Sequence, residues 1–425
     1  MTDNTLPSIT VDRLAVGLYV HLDLGWMDHP FAFNHFKIRD AEQLETLRGL
    51  GLKTIRYDPK KSDIAPPPPG AAPPPPATPA PASAAENPLI KAKLERMERI
   101  KKQREAISAC ERVFQSAAST VKNIAKNLFS RPEETLKATD QLVSQMVESM
   151  LTERDIAIHL MNDKIGGEEV YVHSLNVSVL AMILAKEMGL PADKIKRLGM
   201  GAMFHDIGKI EIPDKILLKK PPLTRAETDF LRQHVAYGED IGKRLNFARE
   251  VLQVITQHHE MMDGSGYPAG LKGDDIAIPA RIVAMVNHYD NLCNPLNVAD
   301  AITPHKALST MFSKQRARFD ATALKILIRS LGVFPPGTVV QLSNDAIGMV
   351  MTVNSSKPLK PSVLIYDPEV PKQEAIILDL ETEEDLNIGK AIRPGLLPRD
   401  IYEYLSPRKR VTYYFNETDS KSARP

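Results

Sequence analysis

The sequence predicts a mainly α protein, and three observations carry the prediction. From residue 132 to about 330, apolar residues recur at helical spacing almost throughout, with no alternating strand signal to interrupt them. Short segments near both ends read instead as strands between turn residues. A Pro- and Ala-rich run separates the first of these segments from the rest. A chain of 425 residues is long enough for two or three domains, and a hydrophobic content of 43% is ample for a core.

Residues 1–62 read as a small α/β module. Residues 16–20 form a strand, Asp40 caps a short helix that Gly51 ends, and residues 54–57 form a second strand. The single tryptophan, Trp26, lies in this module. His29 and His35 read as packing or surface residues, because no Cys or Glu pattern accompanies them. Residues 63–88 contain two runs of four prolines and read as an extended polyproline spacer. Residues 89–130 begin with a charged connecting helix in which Glu95, Glu98 and Glu105 are interleaved with lysines and arginines. Its apolar stripe, Ile90, Leu94, Met97 and Ile107, fits a signalling or dimerising helix. Residues 131–335 read as a helical bundle, with helices over 172–188, 225–245, 248–259 and 279–292. Residues 336–425 hold four segments, 337–342, 348–353, 362–366 and 375–378, that read as a small antiparallel β unit packed on the bundle.

Bulk properties exclude several classes. A net charge of +1 gives no electrostatic footprint for DNA or an anionic membrane. The longest apolar run, 177–184, is cut short by Lys186 and Glu187, so no membrane span is expected. The first ten residues are polar and carry no apolar signal core. Two distant cysteines, Cys110 and Cys293, fit a reducing cytoplasm rather than a disulfide scaffold.

The chemistry gathers in the helical region. His258-His259-Glu260-Met261-Met262-Asp263-Gly264-Ser265-Gly266-Tyr267-Pro268 sets two adjacent imidazoles against a sharp turn. Adjacent helical residues point in different directions, so the two rings cannot share one apolar face. Glu169 and His173 are four apart and share a helix face. His205-Asp206 follows an apolar run, with Lys209 one turn on. His234 comes next, then Asn287 and Asp290 on an apolar helix. Five of the 11 histidines fall in this set. Imidazole and carboxylate without thiolate suit Fe, Mn, Zn, Ni or Co. The donors exceed the needs of one tetrahedral zinc, which points to two or more divalent ions. Adjacent ions suit phosphoester hydrolysis. Lys209 is placed to stabilise charge on a phosphate, and Gly208 permits close backbone approach. Glu260 and Asp263 are candidates to orient imidazoles, Asp263 the better one. His159, His288 and His305 read as non-ligands.

His205-Asp206 with Lys209, together with the segment from His258 to Pro268, resembles the HD-GYP branch of the HD phosphohydrolases. Ile212-Pro213-Asp214-Lys215-Ile216-Leu217, His234 with Gly238, Gly270-Leu271-Lys272-Gly273 and Ala280-Arg281-Ile282 extend the likeness, which covers about residues 168–290. The N-terminal module resembles the small domain often found ahead of HD-GYP. The resemblance implies an all-α HD/HD-GYP bundle that hydrolyses the bacterial second messenger cyclic di-GMP to pGpG or GMP in the cytoplasm. It implies two or three divalent ions, iron or manganese, held by Glu169, His173, His205, Asp206, His234, His258, His259 and Asn287. Glu169 would serve a third ion. Asp206 and Lys209 would be catalytic, Lys209 would also bind the substrate phosphate, and Asp290 would support the ligands from behind. Partners implied are cyclic di-GMP, a second copy in a homodimer, and signalling proteins such as diguanylate cyclases. The chain departs from the family at two places. Asn287 stands where the family has an Asp, and an amide lacks the carboxylate's charge. Residues 293–298, Cys-Asn-Pro-Leu-Asn-Val, replace a basic stretch that grips phosphate, a loss of about 1.5–3 kcal/mol of binding. A domain that binds nucleotide or a partner without turnover, and an HD phosphohydrolase for other nucleotides or alarmones, are the alternative readings.

Overall fold

The structure, a computed structural model, describes residues 6–24, 29, 31, 34–68, 88–152, 156–160, 169–219, 222–295, 300–354, 357–368, 370, 372, 375–383, 385–405 and 413–417. Trp26, most of the proline spacer and the 296–298 stretch lie outside them, as do the side chains of His159 and Glu169. The chain divides into two compact units.

The first unit holds the N-terminal module. Strands β1 (Ser8–Thr10), β2 (Tyr19–His21) and β3 (His35–Lys37), helix α1 (Ala41–Gly49) and strand β4 (Thr54–Tyr57) make a four-stranded antiparallel sheet in the order β1-β4-β2-β3. Asp40 caps α1 by accepting from the Gln43 amide at 2.8 Å. The sheet's apolar face and Leu47 of α1 bury Ile9, Leu14, Leu18, Val20, Leu22, Ile38 and Ile55. His29 is buried and bonds Asn34 at 2.8 Å, a packing role. Residues Asp367–Ile376 group with this unit.

The second unit is mainly helical. Helix α2 (Pro88–Asn127) carries the chain into it and is longer than its charged start foretells. Then come α3 (Pro132–Thr152), strand β5 (Ile156–Leu160), α4 (Glu169–Glu187), α5 (Ala192–Phe204), α6 (Asp214–Leu217), α7 (Arg225–Arg232), α8 (His234–Arg244), α9 (Arg249–Gln257), α10 (Ile278–Cys293), α11 (Pro304–Lys314) and α12 (Ala321–Leu331). Helix α4 is nearly all apolar and is wrapped by α3, α5, α10 and α12, so Leu175, Val177, Val179 and Ala181 are fully buried. No helix of the described residues is long and apolar enough to cross a membrane.

Two expectations need correction. The bundle region is not free of strands, because β5 interrupts it. The predicted helix over 225–245 is two helices, α7 and α8, joined at Gln233. The C-terminal sheet is also larger than expected. Strands β6 (Val339–Leu342), β7 (Ile347–Asn354), β8 (Ser362–Ile365), β9 (Ile377–Asp379), β10 (Ile388–Ile392) and, after helix α13 (Arg399–Leu405), β11 (Tyr413–Glu417) combine with β5. The main path runs β10-β6-β7-β5-β11, all antiparallel, with β8 and β9 extending from β7. Val339 and Met349 of this sheet join the same apolar core as the helices, so the sheet packs on the bundle.

Candidate metal centre

Helix ends build most of the site. The last carbonyls of a helix have no amide partner within it. His205 caps α5, His258 caps α9, and His234 opens α8 directly after α7 ends. In each case the ring Nδ1 meets a carbonyl three residues back, Ala202 at 2.7 Å, Leu231 at 2.6 Å and Ile255 at 2.8 Å. A carbonyl only accepts, so Nδ1 carries the proton and Nε2 presents a lone pair. His173, on α4, is aimed differently. Its Nδ1 bonds Oδ2 of Asp290 on α10 at 2.6 Å. Asp290 is buried and also accepts from the side-chain amides of Asn176 and Asn294.

The free Nε2 atoms converge on Asp206. Its Oδ2 lies 3.3 Å from His205 and 3.8 Å from His173, and its Oδ1 lies 3.5 Å from His234 and 3.7 Å from His258. Two donor groups result, one of His173, His205 and Asp206, the other of Asp206, His234, His258 and His259. Asp206 belongs to both.

The donors fit divalent metal. His234 Nε2 and His258 Nε2 face each other at 3.4 Å, and with both protons on Nδ1 neither can donate to the other. His205 Nε2 and Asp206 Oδ1 are buried without a hydrogen-bond partner among the described residues. A cation between such atoms satisfies all of them. Burial keeps the His234, His258 and His259 rings neutral, which is the ligating form. It lowers the pKa of His234 to about 4 and that of His258 below the usual value, and it holds His259 well below, with His258 adding to the effect. Burial alone would favour the neutral acid at Asp206, but the Lys209 ammonium beside it outweighs burial and holds the carboxylate ionised.

Close backbone contact fixes the frame. A Cβ on Gly208 would sit 1.9 Å from the His234 carbonyl oxygen, so only glycine lets the turn after Asp206 lie against α8. A Cβ on Gly266 would sit 2.4 Å from the His259 carbonyl oxygen. Glu260 closes this loop by accepting from the Ala269 and Leu271 amides at 2.7 and 2.9 Å. The Tyr267 ring stacks on His259 at 4.5 Å, and the Arg232 guanidinium lies over the Tyr267 ring at 4.7 Å.

Six of the expected ligands, His173, His205, Asp206, His234, His258 and His259, are therefore brought together. Glu169 begins α4, one turn before His173, but its side chain lies outside the described residues. Asn287 is buried on α10, and its Oδ1 accepts from Asn291 Nδ2 at 2.7 Å. Asp290 bonds His173, one of the expected ligands. Asp263 bonds none of them among the described residues, and that expectation is corrected. Its exposed carboxylate accepts from the Ser265 amide and hydroxyl at 2.9 and 2.6 Å and closes a local turn. Lys209 Nζ pairs with Asp206 Oδ2 at 2.5 Å. His288 bonds Gln315 and His305 bonds the Val333 carbonyl, away from the cluster. Sequence reasoning missed the three orienting carbonyls, the Glu260 clamp and Arg232. Of these only the Glu260 clamp had a signal, an acid inside the double-His segment.

Three family profiles match the chain: HD domain over residues 133–323, a domain of unknown function (DUF3391) over 6–139, and KOW domain associated with HD domain over 339–397. Cyclic di-GMP phosphodiesterase PA4108 of Pseudomonas aeruginosa is 28% identical over 367 residues, 85% of each chain. Cyclic di-GMP phosphodiesterase response regulator RpfG of Xanthomonas campestris is 29% identical over 223 residues, 51% of this chain and 58% of that protein. Among solved structures, Bd1817, a HDG"Y"P protein from Bdellovibrio bacteriovorus, aligns with a TM-score of 0.42 and 17% identity, covering 76% of this chain and 97% of that one. With the HD profile, the N-terminal profile and relatives of this kind all matching, the chain belongs to the HD-GYP family of HD-domain proteins.

Proposed function

We propose that this chain is a metal-dependent phosphodiesterase that hydrolyses cyclic di-GMP to pGpG and GMP. The observation that carries the reading is Asp206, one buried carboxylate common to two histidine-rich donor groups. Relatives named as cyclic di-GMP phosphodiesterases support the choice of substrate. In this reading His173 and His205 would hold one ion and His234, His258 and His259 another, with the Asp206 carboxylate available to both. Glu169 would serve a third ion, and Asn287 would offer its amide oxygen, which here accepts from Asn291. Iron and manganese suit this set of imidazoles and carboxylates. When bound, adjacent divalent ions bring the pKa of water near neutrality and offset charge on phosphoryl oxygens.

The chain's own residues do the rest. The carbonyls behind His205, His234 and His258, and Asp290 behind His173, hold each ring in the tautomer that ligates. Lys209 is part-exposed beside Asp206 and offers an ammonium to the charge that builds on the scissile phosphate. The buried rings keep bulk water from one side of the centre. Homodimerisation through α2, docking with signalling proteins such as diguanylate cyclases, and action in the bacterial cytoplasm extend the same reading. The first is supported by the apolar stripe of α2 and by Val113, which is exposed there.

The test is to load the purified full chain with Mn(II) or Fe(II) under reducing conditions, verify metal content, and follow cyclic di-GMP by chromatography. Appearance of pGpG or GMP is the expected result. Intact substrate at full metal content overturns the reading. Asn287 favours the second reading, a domain that binds nucleotide without turnover, because its oxygen is already engaged by Asn291. Tight binding of cyclic di-GMP with no product would support it.

A further inference from the structure

We infer that Arg232 binds the substrate, its guanidinium gripping the non-bridging oxygens of a nucleotide phosphate beside Tyr267. The inference rests on the phosphodiesterase reading above. Arg232 is the last residue of α7 and stands two positions before His234. Its guanidinium carbon lies 4.7 Å from the centre of the Tyr267 ring, which itself stacks on His259 at 4.5 Å with the planes 18° apart. One cation is thus held two ring-stacking distances from the donor group of His234, His258 and His259.

Its availability distinguishes it from Lys209, which is paired with Asp206 at 2.5 Å. Arg232 is exposed and forms no ion pair among the described residues. An arginine stacked on a ring is restrained in position, yet its N–H edges remain free to form two parallel bonds to a phosphate. A cyclic dinucleotide carries two phosphates, and the donor groups around Asp206 serve the one that is cleaved.

A purely structural role, in which Arg232 only covers Tyr267, makes a different prediction. The experiment compares the Mn(II)-loaded full chain with Arg232→Gln and Arg232→Lys, with metal content and thermal midpoint measured for each. KM for cyclic di-GMP and the calorimetric Kd for the linear product pGpG are the readouts. Arg232→Gln should raise both by about 10- to 100-fold, the loss expected for a charge-assisted phosphate contact. Metal content should hold and kcat should fall far less than KM rises. Arg232→Lys, which keeps the charge without the fork, should fall between. Unchanged KM and Kd overturn the inference, as does a loss of kcat and metal at constant Kd. If the wild type binds pGpG but cleaves nothing, the phosphodiesterase reading fails, and the Kd ratio still decides Arg232.

Discussion

In one half of the candidate metal centre, His234 and His258 are each aimed by a main-chain carbonyl at a helix end, whereas in the other half His173 is aimed by the carboxylate of Asp290. His205, in the same half as His173, follows the main-chain pattern. The difference separates two kinds of precision. A carbonyl at the end of α7 or α9 comes with the helix and cannot be removed by changing a side chain. Asp290 lies 117 residues along the chain from His173 and is a single replaceable group. The half that contains His173 is therefore the half a point mutation can detune without touching a ligand.

The largest effect should come from removing what the halves share. Asp206→Asn takes the shared carboxylate out of both donor groups, so metal analysis should show loss from both and cyclic di-GMP turnover should fall to background. Retention of one ion at full occupancy would show that the halves are independent. Gly208→Ala should come next. The new Cβ would meet the His234 backbone, which cannot yield as a flexible side chain does, and denaturant unfolding should show a loss of about 3 kcal/mol or more. Asp290→Asn sharpens the comparison. It should weaken metal at the His173 group by about 10- to 100-fold while the His234 group keeps its ion, read as a drop in metal stoichiometry on dilution. Equal loss from both halves would break the distinction.

The smallest effect concerns the frame that both halves share. Glu250 opens α9 and pairs with Lys194 and Arg197 of α5, so it ties together the helices that end in His258 and His205. Its own amide, then Lys194 and Arg197, bring its pKa down to about 2. A carboxylate with a depressed folded pKa contributes stability above its ordinary pKa of 4.5, and that stability fades as pH falls toward 2. The pair is part-exposed, so its worth is about 0.2–1 kcal/mol. Glu250→Gln should flatten the thermal midpoint between pH 4.5 and 2 relative to the wild type, and an unchanged slope would remove Glu250 from the frame.

Much of this was legible in the sequence because the site is written in local patterns. His205-Asp206, the doubled histidine and the helical spacing of α4 and α10 each lie within one element, where period and residue type suffice. The orienting bonds of His205, His234 and His258 are equally local, three residues back, but any helix end offers such a carbonyl, so nothing in the sequence marks them. The break between α7 and α8 was hidden for a related reason. Gln233 keeps helical angles, φ −63° and ψ −14°, with no glycine or proline to signal the turn. Asp263 was misjudged because an acid beside histidines looks like a partner for them, whereas Ser265 two residues on satisfies it first. Strand β5 could not be read, because Ile-Ala-Ile-His-Leu is too short to distinguish from helix and its partners lie near the far end of the chain.

That strand has a practical consequence. β5 comes just ahead of α4, the helix of His173, and hydrogen-bonds on one side to β7 and on the other to β11, beside which α4 also lies. A fragment excised to the span that matches the HD profile would strand β5 with both edges bare, an invitation to aggregation rather than a minimal enzyme. During synthesis the same geometry imposes a wait. β5 leaves the ribosome long before either neighbour, so the surroundings of the His173 helix stay incomplete until β11 is made.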